Sequence, residues 1–230
     1  MLKFYYSLAP NPMKVALFLE EAGLEYEAIP VDTRKGDQHA AVFAALNPNN
    51  KVPVIVDGDA TVFDSNAILL YLGEKTGKFM PDTSAKSRGD LLSWLMFVAS
   101  GLGPYAGQSV HMRHFAPEPK EYAVTRYLYE AKRHLGIIDA RLAQHEWMLG
   151  STYTIVDMAL WGWARMVPFV IGASPKDVSV WETLPNLKRL LDAVNAHPAA
   201  ARAEALKERH AFKTEFDEEA KRAMFRHIAA

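Results

Sequence analysis

Cysteine is absent from this chain of 230 residues. That excludes a disulfide scaffold, thiolate zinc sites, CxxC redox chemistry and a cysteine nucleophile in one step. Neither sign of charge is in excess. Lys and Arg number 26 against 27 Asp and Glu, a net charge of −1. Such a balance gives no general attraction for nucleic acid or an anionic membrane, although a local basic groove stays compatible with it. Long apolar runs are missing too. The longest apolar stretch, residues 155–173, is interrupted by Asp157, Arg165 and Pro168, and reads as a buried core helix rather than a membrane span. Met1-Leu-Lys-Phe-Tyr-Tyr shows neither a long apolar segment nor a small-residue cleavage site, so the expectation is a soluble, cytoplasmic protein. No internal repeat is visible. Half of the residues are hydrophobic and 23% are charged, which is globular composition. A chain of this length forms one large domain or two small ones and buries roughly 70% of its unfolded surface without a staple.

The first 80 residues alternate between strand and helix. Residues 2–6 read as a strand. Residues 12–22 have apolar positions at 13, 15, 16, 17 and 19 and are closed by Gly23, so they read as a helix. Residues 26–31 give a second strand, 38–46 a short helix and 52–56 a third strand. Asp57-Gly58 is a hairpin signal before a fourth strand near 60–63. A helix over 65–75 ends at Gly77. The order β-α-β-α-β-β-α implies a parallel opening pair and an antiparallel hairpin. From Ser87 onward the pattern is helical, with helices around 91–98, 123–143, 154–169 and 186–196 and a bend at Gly101-Leu-Gly-Pro104. This divides the chain into an α/β domain, 1–80, and an all-α domain, 88–230, joined by a Pro/Asp/Thr/Ser linker at 81–87. The last segment, 202–226, is charged in both signs and reads as a solvated helical extension.

Four segments carry chemistry. Asn11-Pro12 reads as a helix cap followed by the first helical proline. The Asn11 amide can also donate to an anion at the helix N-terminus. In Asn49-Asn50-Lys51-Val52-Pro53-Val54, a proline opening a buried-looking strand fits either an edge strand or a cis Val52–Pro53 bond. The cis form would present the Val52 N–H and C=O to an extended peptide-like ligand. Asp64 and Ser65 cap the next helix. Together they also suit an amino-acid head group, with Ser65 taking a carboxylate and Asp64 an ammonium. Thr154 and Asp157 read as a capping box, a structural pair rather than a catalytic one. His111 and His114 have metal-ligand spacing but no nearby carboxylate, so no metal site is expected. Trp94, Phe97, Tyr105, Phe115 and Tyr122 read as core, some lining an apolar pocket.

These segments, in this order, resemble the glutathione transferase superfamily. The resemblance rests on "NPNNKVPVIVDG", "DSNAILLYLGEKTG" and "GSTYTIVDMALWGW" and covers nearly the whole chain. It implies a thioredoxin-like N-terminal domain, an all-helical C-terminal domain and a homodimer. Within the superfamily, "APNPMKVALFLEE", "KGDQ", "GLGPYAGQ" and "TRYLYE" are most similar to bacterial nu-class enzymes, which are glutathione-dependent disulfide-bond reductases. That resemblance implies glutathione as cosubstrate, with contacts from Gln38, Lys51, Val52, Pro53, Asp64, Ser65 and Arg126. It places Asn11 by the glutathione sulfur, and Arg126 at the site of the paired subunit or its own. The electrophile pocket would involve Trp94, Tyr105 and Tyr122, between the domains. One departure is Ala9, where the nu-class pattern has a threonine. It leaves the thiolate with Asn11, the helix dipole and the backbone, unless Ser7 substitutes. With no cysteine, the protein forms no mixed disulfide of its own; if it reduces disulfides, the thiols come from glutathione, with one or two molecules per site. Disulfide reduction, conjugation or peroxide reduction, in the broader frame of detoxification, all follow from one activated thiolate. The alternative is a non-catalytic glutathione-binding regulatory or interaction protein of the same fold.

Overall fold

The computed structural model describes residues 1–118, 120–174 and 178–228. Two compact units emerge. The first comprises Met1–Leu72 together with Pro198–Ala230, and the second Gly73–His197.

In the first unit the elements run β1 (Leu2–Tyr6), α1 (Pro10–Ala22), β2 (Tyr26–Pro30), α2 (Ala41–Leu46), β3 (Val54–Asp57), β4 (Ala60–Phe63) and α3 (Ser65–Thr76, crossing into the second unit). The sheet order is β2-β1-β3-β4. β1 and β2 are parallel, while β1–β3 and β3–β4 are antiparallel, as the strand and hairpin signals imply. Alternation sets the layers: Leu2, Phe4 and Tyr6 are buried on one face of β1. Tyr5, on the other face, packs with Phe43, Val31 and Val54. Helix α1 is buried nearly all round, from Pro12 to Leu19.

Helix α1 starts earlier than the Asn11 cap reading requires. Its N-cap is Ala9, extended at φ −67°, ψ 160°, and no side chain caps it. Pro10 explains the shift. A proline is favoured at the first helical position and holds its predecessor extended. Asn11 is thus the second helical residue.

The second unit is helical: α4 (Ala85–Phe97), α5 (Gly103–His114), α6 (Glu121–Leu142), α7 (Ile155–Ala164), α8 (Val167–Ile171) and α9 (Pro185–Asn195). The expected bend near Gly101 is a π-helical turn at Val98–Leu102. Gly101 is needed there, because a Cβ would sit 2.6 Å from His134 Nε2 of α6. The single helix expected over 154–169 is two. A proline ring collides with the carbonyl four residues earlier, and α7 ends at Ala164, four before Pro168. The capping box is present. Thr154 N–H donates to Asp157 Oδ2 at 2.8 Å, Thr154 Oγ1 accepts from Val156 N–H at 3.3 Å, and Met148 N–H donates to Asp157 Oδ1 at 2.8 Å. Burial pushes the Asp157 carboxyl up to about 6, against these hydrogen bonds. Among the described residues no helix is long and apolar enough to cross a membrane.

The segment read as a solvated extension belongs to the first unit. It forms α10 (Pro198–Glu204), α11 (Leu206–Arg209) and α12 (Glu218–Met224). Tyr6 Oη donates to Leu206 O at 3.1 Å, and its ring meets Phe212 edge-on at 5.6 Å. Lys213 N–H donates to Asp32 Oδ2 at 2.7 Å, and Arg34 Nη1 donates to Lys213 O at 3.0 Å. Some of its charges pair with one another, Lys213 with Asp217 and Glu219 and Lys221 with Glu218. That leaves Leu206, Phe212 and the fully buried Ala220 to dock.

Replacing Asp157 by Ala strands the N–H groups of Met148 and Thr154 in a fully buried place. The expected loss is about 2–4 kcal/mol of unfolding free energy, read from denaturant titration. A loss below about 1 kcal/mol would show the box to be incidental.

Candidate functional site

Strand register gathers the candidate residues of the first unit. Val54, which opens β3, faces Phe63, which closes β4, so Pro53 and Asp64 leave the hairpin side by side. Val54 also faces Tyr5 at the end of β1, and Tyr6 faces Pro30 at the end of β2. The segments that hold Asn11, Gln38, Lys51–Pro53 and Asp64–Ser65 therefore all open from one end of the sheet.

The Val52–Pro53 bond is cis. The loop before it is shaped by Asn47, a buried residue that sequence reasoning missed. Its Oδ1 accepts from Asn49 N–H at 3.0 Å and its Nδ2 donates to Lys51 O at 2.7 Å. Asn50 turns the chain at φ 52°. Val52 is half-buried against Phe43 and Val54. Among the described residues neither its N–H nor its C=O has a hydrogen-bond partner. Lys51 is exposed and Pro53 buried.

Asp64 occupies the left-handed region at φ 71°, which Asp tolerates better than most residues. Its Oδ1 accepts from the N–H groups of Asn66 at 2.8 Å and Ala67 at 3.2 Å. The cap thus takes the second and third N–H groups of α3 and leaves that of Ser65. Ser65 itself is buried, and its Oγ accepts from Lys14 Nζ at 3.3 Å. Lys14 is the second residue that sequence reasoning missed. It is 1% exposed, and burial lowers its ammonium to about 7 while Asp64 acts to raise it. The signal was there: a single charge within the otherwise apolar stretch from Pro12 to Leu19.

Asn11 is half-buried and makes no hydrogen bond with other described residues, so its amide is uncommitted. The Ala9 methyl offers nothing to a thiolate. Ser7 is buried, and its Oγ accepts from Ala9 N–H at 3.4 Å. Gln38 is buried as well. Its Nε2 is held by Ala223 O at 3.0 Å and Thr33 O at 3.4 Å, and only its Oε1 lacks a partner.

In the second unit, Arg126 Nη1 donates to Glu130 Oε1 at 2.7 Å and Arg133 Nε donates to Glu130 Oε2 at 2.9 Å. The Arg133 hydrogen bond is the main reason the Glu130 carboxyl lies below its usual range. Arg126 nevertheless keeps 48% of its side chain exposed. The aromatic residues of the expected pocket fall into separate ring contacts. Tyr105 packs on His134 with ring centres 5.0 Å apart, and Trp94 packs on Phe97 at 5.5 Å. Tyr122 stands apart, 80% exposed at the start of α6. The His111/His114 pair is absorbed in ring contacts, with His114 stacked on Phe169 at 4.3 Å. Among the described residues no cluster of three or more His, Asp or Glu side chains could hold a metal.

Known proteins resemble this chain in sequence and fold. The family "Glutathione S-transferase, N-terminal domain" matches residues 2–74, and "Glutathione S-transferase, C-terminal domain" matches residues 96–198. The disulfide-bond oxidoreductase YfcG of Escherichia coli (strain K12) is 41% identical over 172 residues, which covers 72% of this chain and 80% of that protein. A glutathione transferase from Burkholderia graminis, solved with two glutathione molecules bound per subunit, superimposes with a TM-score of 0.81 at 35% identity. That match covers 91% of this chain and 89% of the other. A glutathione transferase from Pseudomonas putida, solved with one glutathione disulfide bound per subunit, gives a TM-score of 0.79 at 34% identity, over 88% and 90% of the two chains. Sequence and fold agree, and this chain belongs to the glutathione S-transferase family.

Proposed function

We propose that the chain binds reduced glutathione in its first unit and uses the thiolate to reduce disulfide bonds. The observation that carries this reading is the end of the sheet, where the unpaired backbone of Val52 adjoins the open N-terminus of α3 at Asp64–Ser65. An extended tripeptide fits that pair of features. Its cysteinyl backbone would pair with Val52, its α-carboxylate would take the donors of Ser65, and its α-ammonium would meet Asp64. Lys51 adds positive charge beside the backbone contact, Pro53 shapes that contact, and Gln38, whose buried Oε1 has no partner among the described residues, is proposed as a further contact.

The sulfur would lie at the first turn of α1, where the helix dipole and the Asn11 amide favour an anion. The chemistry needs two glutathione molecules. The first thiolate attacks one sulfur of the substrate disulfide, forms a mixed disulfide and releases one substrate thiolate. The second attacks the glutathionyl sulfur, giving glutathione disulfide and the second substrate thiol. The absence of cysteine supports this division of labour, as do the neighbours that hold two glutathiones or one glutathione disulfide. The same thiolate can attack an electrophilic carbon or a peroxide, and the likeness to a disulfide-bond oxidoreductase places disulfides first. Trp94 and Tyr105 are proposed as apolar contacts for the second substrate. Tyr122, Arg126 and Tyr129 share one face of α6, and both tyrosines are largely exposed. They support a homodimer in which Arg126 serves the paired subunit's glutathione or its own. A binding module without turnover has Ala9 in its favour, and an activity assay separates it from the enzyme.

Three outcomes are expected. The double change Asp64→Ala with Ser65→Ala weakens glutathione binding by about 2–4 kcal/mol in calorimetry, because two charge-assisted contacts go together. Unchanged affinity in a folded double variant would move the site elsewhere. Asn11→Ala lowers the rate of glutathione-dependent disulfide reduction roughly 10–150-fold, with little change in melting temperature or glutathione affinity, since Asn11 caps nothing. Asn11→Asp is slower still, because its carboxylate repels the thiolate while suiting the helix N-terminus. Full activity in Asn11→Asp would remove Asn11 from the mechanism. Sedimentation gives about 51 kDa, twice the chain mass of 25.7 kDa, at micromolar concentration. A monomer would end the cross-subunit role of Arg126.

A further inference from the structure

Lys14 is an uncommon object, a lysine buried in an apolar helix with Ser65 Oγ as its one hydrogen-bond acceptor among the described residues. An ammonium donates and cannot accept. With Lys14 charged, as it is once a carboxylate is bound, the Ser65 oxygen is the acceptor and its own proton is left to be given in another direction. No other described residue receives it. We propose that Lys14 is a positioning residue for the α-carboxylate of glutathione, aiming the Ser65 hydroxyl at that carboxylate and supplying the positive charge behind it. The inference rests on the glutathione reading above and adds a residue to it.

Charge pairing argues the same way. The γ-glutamyl head group carries one negative and one positive charge on a single carbon. The site sets Lys14 and Asp64 at its base, adjoining the same serine, so each charge of the ligand meets one of opposite sign. A methionine of similar length would fill the helix position without desolvating a charge. The fold gains nothing from the ammonium that an apolar chain would not supply, whereas a bound anion offsets its burial.

The surroundings of Lys14 are simple. Asp64 is the one charged group acting on it, and it favours the charged form against burial. Glu20 and Glu21 lie at the far end of α1, where Arg202 Nε donates to Glu20 Oε2 at 2.8 Å. With Lys14 poised near neutrality, an arriving carboxylate draws a proton onto it. Between about pH 7 and about pH 10 the unfolded chain holds a proton on Lys14 that the free folded chain has released. In that window wild-type stability rises with pH relative to Lys14→Met.

The test uses S-methylglutathione, which has no thiol to titrate, and its counterpart lacking the α-carboxylate. Both are titrated calorimetrically into wild type, Lys14→Met and Lys14→Gln. Wild type is expected to prefer the carboxylate-bearing ligand, and Lys14→Met to lose roughly ten- to a hundredfold of that preference. Affinity for the decarboxylated ligand stays within about twofold, and the melting temperature is unchanged or higher. At about pH 8, wild type takes up a proton on binding S-methylglutathione, seen by varying the buffer ionisation heat, and the variants do not. A purely structural lysine would lower both affinities together and show no proton uptake. A preference that survives in both variants overturns the inference while leaving the glutathione site intact. Failure of wild type to bind S-methylglutathione overturns the glutathione reading itself. Should neither variant fold, the decline of the wild-type preference between about pH 6 and about pH 8.5 decides, and a flat profile refutes the role of Lys14.

Discussion

The register of β1 holds the site together. β1 is paired on both sides, with β2 in parallel and β3 antiparallel, and its buried residues Leu2, Phe4 and Tyr6 share one face while Tyr5 takes the other. A slip of one residue would exchange the faces, driving Phe4 and Tyr6 out of one layer and Tyr5 away from Phe43. It would also shift the end of β1 against Val54 by about 3.3 Å, the rise of one residue. The first turn of α1, the cis-proline loop and the Asp64–Ser65 turn would then no longer share an end of the sheet. Aromatic packing deep in the sheet thus sets the geometry of groups that barely touch it.

Features governed by neighbours in sequence were legible beforehand. The Asp57-Gly58 hairpin, the Thr154–Asp157 box and the order of strands and helices each depend on a few adjacent residues. The cis bond at Val52–Pro53 was one of two readings, and a proline opening a buried strand raised it. What escaped notice depends on distant partners. Lys14 stands out as a lone charge in an apolar stretch, but its acceptor Ser65 lies 51 residues away in sequence. The mixed-charge tail looks solvated until some of its charges are seen to pair with one another. The start of α1 was misread because two prolines compete for the first helical position and Pro10 takes it. The break before Pro168 follows a rule that needs no tertiary information and was available from the start.

Gln38 shows how an intrachain partner competes with the role a resemblance implies. The resemblance assigned it to glutathione, yet its amide nitrogen is spent on Ala223 O, and His39 Nε2 lies 3.2 Å from the same carbonyl. Only the Gln38 carbonyl oxygen lacks a partner among the described residues, and it is buried. Arg126 is similar, drawn to Glu130 in its own helix while half its surface stays open. In both cases the residue type was informative, and the competing intrachain partner, invisible in the motif, decides which atoms remain available.

The last stretch of the chain has a consequence for order of events. Tyr6 and Asp32 are satisfied by residues that follow the entire helical unit in sequence. During synthesis from the N-terminus, the sheet emerges long before the segment that covers it. Until then the Tyr6 hydroxyl and Asp32 Oδ2 lack these late partners, and the first unit is incomplete as the second is being made. The strand-rich half of the protein therefore reaches its final packing last, although the ribosome delivers it first.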